Sequence, residues 1–322
     1  MEEIGHCMTR VLVLVVSVFV LVIALFAMSS EDGAGAGAAT TYVPPMFLSH
    51  GGGPCFFMEN EGMMEGMGKG SDVAEWMKRV IGEEYAPEVR AAIKAVVVVS
   101  AHWETREEIG VYRVDGPNTL LFDYSGFPPH TYKLAYPAPG APDVADRVGE
   151  LLEAAGFGVA MESARGLDHG VFVPLILALP DADLPVLQVS IHSSYDPELH
   201  LSLGEALHTL TKEGVLVIGS GFATHGVSNA EETDAFVGWL THTLTSSDLT
   251  PEDRRRLLAA WEVEAPFARR AHRREDHLMP VFVAAGAAGF SPARLVQDHV
   301  WLLPSNAGSM ASYAWTPSPS YT

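Results

Sequence analysis

Five of the thirteen histidines stand where a fold can gather them. His50 ends the short apolar run of MFLSHGGGPC and is followed at once by three glycines. His102 follows VVVVSA, and His225 follows VLVIGSGFAT. His169 in GLDHGVFVPL and His277 in REDHLMPVF each open an apolar helical pattern. In open α/β sheets, ligands bind beyond the carboxyl ends of the strands. Three strand ends therefore bring an imidazole to one rim, and a neutral imidazole is a metal ligand or a proton carrier. One histidine after a strand is ordinarily a hydrogen-bonded loop residue; the convergence of three is what carries weight. The remaining histidines suit helix faces or loops, with His130 and His272 nearest to the motifs.

His50, His102, His225 and His277 form the candidate metal-ligand set. Imidazoles suit zinc and ferrous iron alike. A catalytic zinc site usually has three protein ligands and an open position; a non-haem iron site usually has two histidines and a carboxylate. Four histidines match neither pattern, so the reading is that three bind and a fourth, His225 or His277, stands beside the open position. Glu104 and Asp276 are the carboxylates nearest in sequence, and both fit equally well as solvated charges.

The glycines have two readings. A histidine-triglycine run forms an oxyanion hole in some esterases, which also need a G-x-S-x-G elbow. No such elbow occurs: Ser220 has Ile218 and Phe222 where the outer glycines belong. The alternative is that Gly51, Gly52 and Gly53 clear space beside a metal on His50, with Gly219 and Gly221 doing the same before His225.

These residues need a scaffold of alternating elements. Apolar, β-branched runs at 45–49, 95–101, 185–191 and 215–220 read as strands buried on both faces. Helical spacing occupies 142–155, 197–212 and 231–245. Strands alternating with helices predict an α/β domain with a largely parallel sheet.

Composition narrows the partners. Twenty basic against forty acidic residues give a formal net charge of −20, which repels a polyanion and argues against nucleic acid. The two cysteines, Cys7 and Cys55, do not share the folded region, so no disulfide framework is expected. Residues 11–28 (VLVLVVSVFVLVIALFAM) are apolar and carry no charge. That length suits a bilayer core and exceeds the usual apolar region of a secretory signal. The expected organisation is a signal anchor or signal peptide at 1–28, a flexible linker at 29–43, a catalytic domain at 44–315 and a tail at 316–322. Membrane anchoring or entry into the secretory pathway follows from that segment, with the cytoplasm as the alternative. The oligomeric state is not legible.

Seven blocks in fixed order resemble the class III extradiol ring-cleavage dioxygenases, in the branch that contains 4,5-DOPA extradiol dioxygenase. They are FLSHGGGP, VVVVSAHWET, LFDYSGFPPHTYKLAYPAPGAP, RGLDHGVFVPL, GVLVIGSGFATHG, APFARRAHRREDHLMPVFVAAGAAG and GSMASYAW. The resemblance implies a three-layer α/β/α sandwich and a divalent metal held by His50, His102 and His277. His225 would be a fourth ligand or a close catalytic neighbour, and His169 the acid/base. It implies Fe(II) for catalysis, or Zn(II) as bound in some members, with a catechol and dioxygen as partners. Tyr124, Phe127 and Tyr132 are candidates for an aromatic wall. A non-catalytic metal-pocket binding or signalling protein of the same fold is the alternative. Two departures touch the pocket wall: a third glycine with Pro54-Cys55 after His50, and GFATHG (Phe222 and Gly226) where the family more usually has serine and asparagine.

Overall fold

The protein is described by a computed structural model covering residues 41–226, 228–303 and 306–315. The apolar segment 11–28, most of the linker and the tail at 316–322 lie outside the described residues. Among the described residues no helix is long and apolar enough to cross a membrane.

Ten strands are described: β1 (Met46–Ser49), β2 (Ala95–Thr105), β3 (Ile109–Tyr112), β4 (Val159–Glu162), β5 (Val186–His192), β6 (Val215–Gly221), β7 (Arg294–Gln297), β8 (Val300–Leu303), β9 (Asn306–Ser309) and β10 (Ser312–Ala314). The six longest helices among the described residues are α1 (Pro142–Ala154), α2 (His169–Ala178), α3 (Pro197–Lys212), α4 (Ala230–Thr245), α5 (Pro251–Ala259) and α6 (Met279–Ala287). Eight strands form one sheet in the order β4-β3-β5-β2-β6-β1-β10-β7. Its centre, β5-β2-β6-β1, is parallel. The edge beyond β1 turns antiparallel through β10 and β7, and β3 meets β5 antiparallel.

The two faces of the sheet are read directly off β2. Ala95, Val97 and Val99 join one buried cluster with Leu203 and Leu207 of α3 and Val281 and Phe282 of α6. Val96 and Val98 join a second with Phe172 and Leu175 of α2 and Val73 and Val80 of short preceding helices. Alternate residues of a strand point to opposite faces, so a continuous valine run requires cover on both. This is the three-layer α/β/α sandwich. The central strands and the predicted helices lie where periodicity placed them, within a residue or two of the expected ends except for β2, which runs four residues past 101 to Thr105.

Two local features position the site. The pairing of β2 with β5 breaks register between Ser100 and Glu104. His102 therefore lies within an irregular stretch of β2, whereas the sequence placed it just past the strand. Such irregularities re-aim side chains next to active sites. The second feature corrects the reading of Gly219 and Gly221. A Cβ on Gly219 would meet the Pro280 carbonyl at 2.1 Å, and one on Gly221 the His277 carbonyl at 2.2 Å. These glycines make room for the approach to α6, and hence for His277, rather than for a ligand beside His225. The Phe222 amide then donates to the His277 carbonyl at 3.1 Å.

Candidate metal centre

Three imidazole nitrogens meet at the carboxyl end of the parallel strands. His102 Nε2 lies 3.0 Å from His50 Nε2 and 3.2 Å from His277 Nε2. What stands behind each ring decides what these nitrogens offer. His50 Nδ1 is 2.9 Å from Ser220 Oγ. The Ser220 hydroxyl donates its own proton to the Gly170 carbonyl, so toward His50 it is an acceptor. His50 therefore carries its proton on Nδ1 and turns a bare lone pair inward. His102 Nδ1 faces Asp123 Oδ2 at 3.6 Å, and His277 Nδ1 faces Asp276 Oδ1 at 3.1 Å. The His277–Asp276 pair is close but lacks hydrogen-bond alignment, so it acts through charge. Both carboxylates favour the Nδ1–H tautomer. Three lone pairs then converge on one point, an arrangement that repels itself until a cation occupies it. The donor set fits a divalent metal ion.

Electrostatics keep these rings in the ligating form. Burial, reinforced by the neighbouring histidines, holds His50 well below the ordinary imidazole value. Burial and then His169 and His277 hold His102 down to about 2. Burial and His277 bring His225 to about 4. All three are neutral near neutral pH, as metal ligation requires. Burial works to raise Asp123 and Asp276, but the adjacent histidines outweigh it. Asp123 stays below the usual carboxylate range and Asp276 falls to about 2.

His169 opens α2, and its placement has a specific cause. The N-cap residue, Asp168, does not cap its helix with its side chain. Its buried carboxylate instead accepts from Ser100 Oγ at 2.8 Å, Arg165 Nη2 at 3.1 Å and the Gln188 amide. Arg165 Nη2 also donates to the His102 carbonyl at 2.8 Å. Asp123 takes over at the helix start, accepting from the His169 backbone amide at 3.0 Å and from Nδ1 at 2.8 Å. The His169 ring lies 3.9 Å, centroid to centroid, from that of His102. Ligating atoms of His50, His102 and His169 fall within 4.8 Å of one another, as do those of His225, Asp276 and His277. His225 stacks on His277 at 3.7 Å and 26°, its side chain half exposed.

His102, His169, His225 and His277 border a cavity of about 600 Å³, and His50 lies buried behind them. Its walls include Gly51, Gly52 and Gly53, the side chains of Tyr124, Phe127, Phe222 and Trp301, a methionine group (Met63, Met64, Met67), and Arg273. Gly51 adopts φ +78°, and a Cβ there would meet Cys55 Sγ at 2.3 Å. The motif is therefore both a turn that glycine permits and a wall without side chains. Tyr132 packs 5.2 Å behind Tyr124 and does not border the cavity. Glu104 is also elsewhere: it pairs with Arg274 at 2.5 Å and accepts from the Tyr195 hydroxyl. His130 Nε2 bonds the Phe57 carbonyl, and His272 Nε2 the Ala223 carbonyl, so both are structural. Ser220 is wholly buried and committed on both sides, which removes the esterase reading.

Several residues of the site were not expected from sequence. Ser220 and Asp123 fix rings through Nδ1, a role with no signature in the chain. Trp301 arrives from β8 and the methionines from the segment 63–67, both outside the histidine motifs. Asp168 and Asp123 adjoin recognised motifs, but only the fold shows which carboxylate serves which histidine.

Residues 44–305 match the family described as the catalytic LigB subunit of aromatic ring-opening dioxygenase. The chain belongs to the class III extradiol dioxygenase family. It is a ring-cleaving dioxygenase, and membership displaces the non-catalytic alternative. A 4,5-DOPA dioxygenase extradiol of Beta vulgaris is 42% identical over 215 residues, covering 64% of this chain and 77% of the relative. One from Mirabilis jalapa is 32% identical over 238 residues, covering 71% and 85% respectively. The crystal structure of an uncharacterized Escherichia coli K12 protein superposes with a TM-score of 0.63 at 28% identity, covering 84% of this chain and 99% of that one. Family membership supports an aromatic substrate and dioxygen as reactants.

Proposed function

We propose that this dioxygenase opens a catechol ring beside its diol, with a divalent metal held by His50, His102 and His277. The observation that carries this reading is the convergence of three Nε2 atoms at 3.0 and 3.2 Å, each ring backed at Nδ1. The relatives' names point to DOPA-like catechols. When bound, ferrous iron supplies Lewis acidity toward the diol and the redox capacity that dioxygen chemistry needs, whereas zinc supplies only the first; we favour iron.

The protein's own groups do the rest. Phe127, Phe222 and Trp301 offer apolar faces to an aromatic ring and keep bulk water from it. The glycine wall lets the ring approach His50 closely. His169, with Nδ1–H bound to Asp123, presents Nε2 to take a proton from a catechol hydroxyl and to return it as the ring opens. Asp123 stabilises the imidazolium formed in between. His225, stacked on His277 at the open side, serves as a neighbour of the metal that hydrogen-bonds incoming reactants.

The test is to reconstitute the anaerobically purified chain with ferrous iron and supply a catechol panel and oxygen. The expected result is oxygen uptake with a yellow semialdehyde product, lost on chelation and not restored by zinc. Metal binding without oxygen uptake across the panel overturns the proposal.

A further inference from the structure

Among the described residues, the cavity wall carries one strong cation and no acid. Apart from the histidines, Arg273 is the one ionisable basic side chain among the described residues that line it, and no described aspartate or glutamate does. Asp123 and Asp276 lie behind the histidines, turned to their Nδ1 atoms.

Arg273 is also the unmatched member of its cluster. Arg269 pairs with Glu262 and Glu275 at 2.7 and 2.6 Å, Arg270 with Glu232 at 3.2 Å, and Arg274 with Glu104 at 2.5 Å. Arg273 has no ion-pair or hydrogen-bond partner among the described residues. Its backbone is well anchored: His272 next to it is fully buried and holds the Ala223 carbonyl at 3.0 Å, and His277 lies four residues on. An exposed guanidinium is thus presented from a fixed stem at the edge of an otherwise uncharged opening.

We propose that Arg273 is a specificity-determining residue that selects catechols bearing a carboxylate on their side chain and disfavours those bearing only an ammonium group. The inference rests on the reading that the cavity holds a catechol. A guanidinium meets a carboxylate through two parallel hydrogen bonds. The net charge of −20 repels anions at long range, so a local cation is what makes an anionic substrate acceptable. An ammonium tail finds no carboxylate among the described residues of this wall and meets the like charge of Arg273. A catechol acid without an amino group therefore fits better than a zwitterion, and a zwitterion better than an amine.

The test is equilibrium binding to the zinc-loaded protein, in which zinc keeps the ligands from being turned over. Dihydroxyphenylpropionate, ethylcatechol and dopamine are titrated against wild type, Arg273→Gln and Arg273→Lys. Wild type is expected to bind the propionate roughly 10- to 100-fold more tightly than ethylcatechol, the worth of a hydrogen-bonded charge pair, and dopamine most weakly. Arg273→Gln should collapse that ratio. Arg273→Lys should keep part of it, and added salt should shrink it in wild type. An unchanged ratio in Arg273→Gln, or dopamine bound as tightly as the propionate by wild type, overturns the proposal. Ring opening by the iron-loaded protein separates the two readings. Selective binding without ring opening defeats only the proposed reaction, and equal binding with ring opening of all three defeats only the role of Arg273.

Discussion

Asp123 grips His169 twice, at the backbone amide (3.0 Å) and at Nδ1 (2.8 Å), both through Oδ1. Its other oxygen faces His102 Nδ1 at 3.6 Å. One carboxylate therefore orients the proposed proton carrier and one proposed metal ligand. Asp123→Asn keeps the shape but removes the charge that stabilises an imidazolium on His169. The expected loss in turnover is about 10- to 100-fold, the usual cost of removing a partner that orients a metal-site histidine. Steady-state oxygen uptake checks it, and a shifted acid limb in the pH–rate profile is expected alongside. An unshifted profile with a lower metal content would place the effect on His102 instead.

His169 itself separates two groupings. Its ligating atom lies within 4.8 Å of those of His50 and His102, yet the direct Nε2 contacts of His102 are with His50 and His277. If His169 carries protons, His169→Gln retains the metal and loses turnover by roughly 10²- to 10⁴-fold, the range of general acid–base catalysis. His102→Ala should lose the metal. Metal analysis after gel filtration reads both, and metal loss in His169→Gln would make His169 a ligand.

The legible part of this protein and its hidden part have different physical origins. The valine run of β2 and the helical spacing of α1, α3 and α4 are local signals set by burial. They announced the sheet interior and its covering layers. β3, β4 and β10 are three or four residues long, and they pair with remote segments: Met46 of β1 lies against Ala314 of β10. Nothing local specifies such pairings. The histidines were visible because strand ends and helix starts mark a rim. Ser220 and Asp123 were not, because a residue that acts by accepting from Nδ1 is defined only by what the fold sets beside it. The reason for Gly221 is hidden from the sequence in the same way, since the atom it avoids belongs to His277, far along the chain.

That contact gives a stability prediction. A methyl group on Gly221 would lie 2.2 Å from the His277 carbonyl oxygen and 3.3 Å from the Phe47 ring. Neither neighbour is the loose end of a flexible side chain. Gly221→Ala should destabilise the fold by about 1–3 kcal/mol, as overpacking of a tight interior does. It should also push His277 off its position. A thermal melt together with metal content measures both; an unchanged melting temperature with full metal loading would show that α6 yields easily.

Ser220 predicts a subtler defect. Its hydroxyl selects the His50 tautomer by accepting from Nδ1 while donating to Gly170. Ser220→Ala frees His50 to place its proton on Nε2, the atom proposed to bind the metal. Metal affinity should fall about 10- to 100-fold with little change in secondary structure. A competition titration against a chelator checks this. Unchanged affinity would mean that packing alone orients the ring.

Acid sensitivity of the metal-free protein should come in part from His200, away from the cavity. His200 is fully buried on α3. Its Nδ1 sits 2.7 Å from the Asp196 carbonyl, so it carries the proton there, and its Nε2 accepts from the His192 amide at 3.0 Å. A second proton would need that same Nε2 and would leave the amide without its acceptor. Burial, the leading cause, brings His200 to about 4. A histidine held down in the folded state binds its proton more readily when unfolded, so stability is full above the unfolded value near 6.5. It declines as pH falls from there toward 4, because the unfolded chain takes up the proton first. At pH 5 the deficit is about 2 kcal/mol. Urea unfolding of the metal-free protein between pH 7.5 and 4.5 should show this decline. His200→Gln, which offers an amide in place of the ring, should make it shallower by that share; a decline of the same slope in that variant would assign the acid sensitivity to other groups.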